Sequence, residues 1–383
     1  MCGYPGTIAS TWQQAGRAGR RQGSSIVFLV ATSTSLDQFI ISHPEYFFEG
    51  AIESGLVNPD NIYILVNHIK CASFELPFTE GDKFGAASID EVLNFLESEE
   101  ILHKSGNRWH WAADNYPAED ISLRSAAAEN FVIVDITGPP RIIGEVDSFS
   151  APMLLHEEAI YLHESDQYQV EKLDYENKKA FVRSVDVDYY TDANLAINVK
   201  VLSVDKSLPM SAGLTRGIGE VQINSLVTMF KKIKFNTHEN IGSGPVNLPE
   251  TEMHTSSFWL CLSEDLVKEM TVSEVESGIL GISNLLATIA PIYLMCDPRD
   301  IHAVTQVRSP FTELPTIFLY DSYPGGIGLS ERLFDMSRDL LDAALSQVKS
   351  CTCAYGCPSC AGPPDEIGYV GKNITLKLLK RMS

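Results

Sequence analysis

Beyond residue 59 the apolar positions switch between two periods, and the order of the switches predicts the layout of the chain. Ile62, Leu65, Val66 and Ile69 share one helical stripe. A second stripe, Ile89, Val92, Leu93 and Leu96, follows Ser88 and Glu91, which are spaced as a capping-box pair. Residues 101–111 then alternate around Ser105-Gly106-Asn107, which predicts a hairpin with Trp109 and Trp111 on one side. Two helices and a hairpin wing predict a winged-helix-like domain over residues 59–125. Its second helix carries Asp90, Glu91, Glu97, Glu99 and Glu100, so a scaffolding role is expected of it rather than insertion into a major groove.

Period-two segments dominate next. Residues 131–136, 141–146, 159–163, 168–173 and 180–187 read as strands separated by Gly-Pro-Pro, acidic or Asn-containing turns, and imply a small twisted sheet or barrel. Strand character continues at 195–204 and 221–235, breaks at the Gly- and Pro-containing stretch 242–252, and resumes at 258–262. The last third alternates a helix at 275–290, a strand at 316–320 and a helix at 329–348. Upstream, residues 24–31 form a short β-branched run typical of a buried parallel strand, and 36–58 reads as a bridge with turns at His43-Pro44 and Asn58-Pro59. The expected fold is α/β and α+β multidomain. It has the tail of a RecA-like lobe at 1–58, the winged-helix-like domain at 59–125, and a β-rich, barrel-like region plus a mixed α/β metal-binding domain at 126–383.

Composition narrows the partners. With 44% hydrophobic and 21% charged residues the chain is expected to fold, while a formal charge of −21 excludes a general polyanion-coating role. Nucleic acid would have to run along a local groove, for which Arg17, Arg20 and Arg21 or Lys231, Lys232 and Lys234 are candidates. No signal peptide is visible, and a cytoplasmic location is expected. Residues 278–296 carry no charge, but Ser283, Asn284, Thr288 and Pro291 interrupt them, so a buried core helix is expected and a membrane partner is not.

Two clusters carry chemistry. Residues 13–20 read Gln-Gln-Ala-Gly-Arg-Ala-Gly-Arg, the Q-x-x-G-R-A-G-R signature by which superfamily 2 helicases touch the outer phosphate of ATP. Phosphoryl transfer spreads negative charge over the transferred group, and arginine supplies a permanent, planar cation to meet it. Gln13, Gly16, Arg17 and Arg20 are therefore candidate nucleotide contacts, with Arg17 and Arg20 the catalytic cations, expected on one side of a helix. No G-x-x-x-x-G-K-[ST] loop and no Asp-Glu-Ala-His or Asp-Glu-Ala-Asp box accompanies them. ATP and Mg2+ would thus bind only with a helicase lobe absent from this sequence, and the chain is expected to be the back half of a longer enzyme. Gly325-Gly326-Ile327-Gly328 precedes a helix without a following Lys-Ser or Lys-Thr, so a tight turn is expected there.

The second cluster is Cys351, Cys353, Cys357 and Cys360, four thiols within ten residues. They suit a closed structural zinc site, with an iron–sulfur cluster as the other reading.

These residues, together with Gly3-Tyr4-Pro5-Gly6-Thr7, His43-Pro44-Glu45, Asn67-His68-Ile69-Lys70-Cys71-Ala72, Tyr116-Pro117-Ala118, Ser122-Leu123-Arg124 and Ala159-Ile160-Tyr161-Leu162-His163, make the chain resemble the mitomycin repair factor A helicases over nearly its whole length. The resemblance implies an ATP-dependent DNA helicase of DNA-damage repair that moves 3′ to 5′ along single-stranded DNA or DNA with a 3′ single-stranded tail. It also implies a zinc-binding domain beside the motor. A competing expectation is a free-standing, zinc-stabilised adaptor that binds DNA or protein without catalysis.

Overall fold

The computed structural model describes all residues except 20–23, 54, 59, 85–88, 122–129, 212 and 383. Its contacts define two units: Met1–Asn58, Val199–Gln222 and His254–Ser383 form the first, Pro59–Asn198 and Ile223–Met253 the second. This division cuts across the segment expected at 126–383, because two long strands, Leu214–Lys234 and Thr251–Leu262, have residues in both units.

The first unit is organised by the helix Val272–Leu294. Thr271 caps it reciprocally with Glu274, and Ile279, Ile282, Leu285 and Leu286 point into the core. At roughly 2 kcal/mol for each fully buried Ile or Leu, that stripe alone is a large part of the unit's stabilisation. By length and composition this helix could cross a membrane, yet most of its apolar window is buried inside the unit. The helix runs past Pro291 to Leu294, one turn beyond the break expected there, and ends at Met295 in the left-handed conformation. Pro291 costs the helix one hydrogen bond and crowds the carbonyl of Ala287, and only one further turn follows it.

Against it lie the helices Leu329–Ser350 and Gly371–Met382, the latter not anticipated from the sequence. Close approach of the second depends on two glycines. A Cβ at Gly278 would sit 2.5 Å from Leu378 Cδ1, and one at Gly281 would sit 2.0 Å from Thr375 Oγ1. The strands Lys206–Ser211, Leu214–Lys234, Thr251–Leu262, Thr316–Asp321 and Ile301–Gln306 follow one another across the sheet. Every residue of Thr316–Asp321 is buried, and its interior, Ile317 to Tyr320, is accordingly a continuous apolar run rather than an alternating one. The expected strand at 24–31 is not formed: only Val30 pairs, in a parallel bridge to Cys2.

In the second unit, the helices Ile62–Glu75 and Asp90–Ser98 and the hairpin Leu102–Ser105/Arg108–Trp111 enclose Leu65, Ile69, Leu93, Leu96 and Trp109. A short strand, Phe78–Thr79, adds to the hairpin's edge. Ser88 of the expected capping box lies outside the described residues, and Ile89 stands at the helix cap without a side-chain bond. The five strands expected after residue 130 all form. They hydrogen-bond in the order Arg141–Asp147, Asn130–Asp135, Lys179–Val185, Asp166–Asp174, Ile160–His163, and a Cβ at Gly144 on the first would lie 3.4 Å from His163 on the last, so the twisted sheet brings its two edges together in a barrel-like curl. The stretch expected to break at Gly242 instead contains the strand Asn240–Pro245, paired with residues 229–233. Glycine is needed there because a Cβ at Gly244 would lie 2.6 Å from the Phe230 ring.

Candidate functional site

Both chemistry-bearing clusters lie in the first unit. The four cysteines occupy the turn between Leu329–Ser350 and the short helix Pro364–Ile367. Their sulfurs are 3.5 Å apart for Cys351–Cys353 and Cys353–Cys360, and 3.6 Å for Cys351–Cys357 and Cys357–Cys360. A tetrahedron of zinc–sulfur bonds of about 2.3 Å places its corners about 3.8 Å apart. The set therefore fits one tetrahedral ion, whereas the cysteines of an iron–sulfur cluster bind separate irons and must stand wider. None of the eight cysteines forms a disulfide. Burial pushes the Cys357 and Cys360 thiols up. It does the same to Cys353, but hydrogen bonds from Cys351, Cys360 and Lys372 outweigh it and bring that thiol below its usual value. Sequence reasoning missed Lys372, whose only advance signal was a lysine at the start of an amphipathic helix.

The amino-terminal cluster is built on the helix Ile8–Ala15. Thr7 Oγ1 accepts from Ser10 N at 3.0 Å, and the Glu53 carboxylate accepts from the amides of Ile8 and Ala9. That carboxylate fills the anion site of the helix N-terminus, so this terminus is not free to take a phosphate. Gln13 is exposed on the helix. Gly16 caps it, and Arg17 N bonds Gln14 O at 3.1 Å in the turn that follows. Arg17 is exposed and has left the helix, which corrects the expectation of one helical face for both arginines. Arg20 and Arg21 lie outside the described residues.

Asp37 was not singled out from the sequence, yet it joins this region together. Its buried carboxylate accepts from Tyr4 N at 3.1 Å and Thr32 N at 2.6 Å. Burial raises its pKa, but those amides outweigh it and hold the carboxyl below the usual range. The same stretch clasps the cysteine turn: Ser35 Oγ donates to Pro358 O at 2.9 Å, and Ser359 Oγ donates to Ser33 O. A cleft of about 780 Å³ opens beside it, lined in part by Tyr4, Thr34, Asp37, Thr288, Arg299 and His302.

Gly325-Gly326-Ile327-Gly328 forms the expected turn. Asp321 at the end of its strand accepts from Ile327 N at 2.7 Å, Leu329 N at 3.2 Å and Ser330 Oγ at 2.7 Å. Two of the amides that would cradle a phosphate are thus already taken. Burial pushes Asp321 up in pKa against those bonds.

In the second unit, Lys232 pairs with Glu158 at 3.0 Å and Lys234 lies 4.0 Å from Asp188, so two of the three lysines proposed for a groove are partly neutralised. In the winged-helix region, Glu97 accepts from Trp109 Nε1 at 3.3 Å, and Lys104 lies 4.1 Å from the centroid of the same ring. This part of the acidic helix serves packing of the hairpin.

Comparison with known proteins agrees with both halves of this picture. Residues 282–361 match the MrfA Zn-binding domain family, a span that holds all four cysteines, and residues 57–126 match the winged helix domain of the ATP-dependent helicase HRQ1. The uncharacterized ATP-dependent helicase YprA of Bacillus subtilis is 53% identical over 100% of this chain and 51% of its own length. The crystal structure of the DUF1998 helicase MrfA bound to DNA superposes with a TM-score of 0.64 at 53% identity, covering 100% of this chain and 51% of that one. MrfA bound to DNA and AMPPNP gives 0.60 at 52% identity, covering 99% and 49%. The chain spans about half the length of these relatives. The chain is thus similar over its whole length to about half of the helicases YprA and MrfA, and carries within it a MrfA Zn-binding domain match and an HRQ1 winged helix match.

Proposed function

We propose that this chain forms the C-terminal portion of an ATP-dependent, superfamily 2 DNA helicase that acts in DNA repair. It would translocate 3′ to 5′ on single-stranded DNA or on DNA with a 3′ single-stranded tail, in the cytoplasm. The observation that carries this reading is a lone parallel bridge flanked by exposed apolar side chains. Val30 and Cys2 pair in parallel, while Ile26, Phe28 and Val30 are 76%, 73% and 62% exposed. Parallel strands are normally covered on both faces, so further strands of a RecA-like lobe would give these side chains the cover they lack, and the relatives have about as many residues again beyond those matched here.

In the completed motor, ATP and Mg2+ would be held mainly by that lobe. Gln13, Gly16, Arg17 and Arg20 would close the outer-phosphate side, with the two guanidiniums neutralising the charge that builds on the transferred group. Cys351, Cys353, Cys357 and Cys360 would hold one zinc ion structurally. Four thiolates complete its tetrahedron and leave no position open for catalysis.

The test joins this chain to the half of YprA that it does not match and measures DNA-stimulated ATP turnover. Arg17→Ala or Arg20→Ala is expected to lower turnover by about a thousandfold with nucleotide binding retained. Wild-type turnover in either variant would sink the assignment.

A further inference from the structure

Lys372 is only 8% exposed, unusual for a lysine, and it sits in the first turn of the helix Gly371–Met382. That is the wrong end of a helix for a cation, because the macrodipole there is positive. Its surroundings resolve the conflict. Nζ donates to Cys351 O at 2.7 Å, to Cys353 O at 2.5 Å and to Cys353 Sγ at 3.3 Å, so each of the three ammonium protons has an acceptor in the cysteine turn.

We propose that Lys372 is a built-in counter-charge for the metal thiolates, which slows metal release and ties the metal turn to the carboxy-terminal helix. The inference rests on the four-cysteine zinc reading. One dication held by four thiolates leaves a net charge of −2, and burying that charge costs free energy unless a cation offsets it. The ammonium reduces it to −1 and withdraws electron density from the Cys353 sulfur, as hydrogen bonds to metal ligands do. It also couples the metal to the core. The helix that carries Lys372 places Thr375 and Leu378 against Gly281 and Gly278 of the unit's central helix, so metal, ammonium and core packing form one connected structure.

The test compares the full-length chain with its Lys372→Met, Lys372→Gln and Lys372→Arg variants. Three quantities are read: zinc per chain, the rate of zinc transfer to a chromophoric chelator, and the sulfur-to-metal charge-transfer band after cobalt substitution. Lys372→Met is expected to release zinc about tenfold faster or more and to move the cobalt band to lower energy, while Lys372→Arg restores slow release. Lys372→Gln supplies the same comparison if the Met variant does not fold. A variant that is less stable yet keeps the wild-type release rate and band would overturn the proposal, leaving Lys372 a packing residue. Absence of zinc from the wild-type chain would instead overturn the metal reading beneath it.

Discussion

The cysteine turn and the amino-terminal segment belong to the same unit, but they differ in how far their own neighbours satisfy them. Around the cysteines the sulfurs, the Lys372 ammonium and the hydroxyls of Ser35 and Ser359 all meet partners. In residues 24–30, Ile26, Phe28 and Val30 meet mostly solvent. A motif whose partners all lie within the chain can be read as a finished site. One whose partners lie elsewhere can be read only as a fragment of a site.

The comparison breaks most severely if the metal turn is not integral to the unit. Chelating the zinc, or replacing Cys360 by Ala, is expected to cost more than about 5 kcal/mol of stability, because metal binding at such sites is folding free energy. Denaturant titrations with and without chelator measure it. Next, Gly281→Val should cost about 3 kcal/mol by driving a side chain into Thr375, read from the same titration. Asp321→Ala should cost about 2 kcal/mol, since it strands the amides of Ile327 and Leu329 and the Ser330 hydroxyl. The smallest effect sharpens the contrast from the other side. Phe28→Ser should change the stability of this chain by no more than about 0.5 kcal/mol, because its ring is exposed.

How much could be read in advance follows the same line. The helix Val272–Leu294, the winged-helix hairpin and the five strands after residue 130 were legible because their own periodicity records which face is buried, whatever covers it. The cysteine set was legible from spacing alone. Lys372 and Asp37 were not, since each acts through backbone groups that no side-chain pattern records. The run at 24–31 looked like a strand because its residues suit a buried parallel strand. Only Val30 pairs, because propensity supplies the residues for a ladder but not the neighbouring strand. The strand Asn240–Pro245 was hidden for the opposite reason: its glycines read as a break while the Phe230 ring required one of them.

Amide hydrogen exchange on the zinc-loaded chain, alone and joined to the unmatched half of YprA, tests the central claim most directly. The amides of Val272–Leu294 and Leu329–Ser350 are expected to be protected in both, whereas those of residues 24–29 should exchange freely alone and become protected in the joined protein. Strong protection of 24–29 in the isolated chain, or none in the joined protein, would contradict the account.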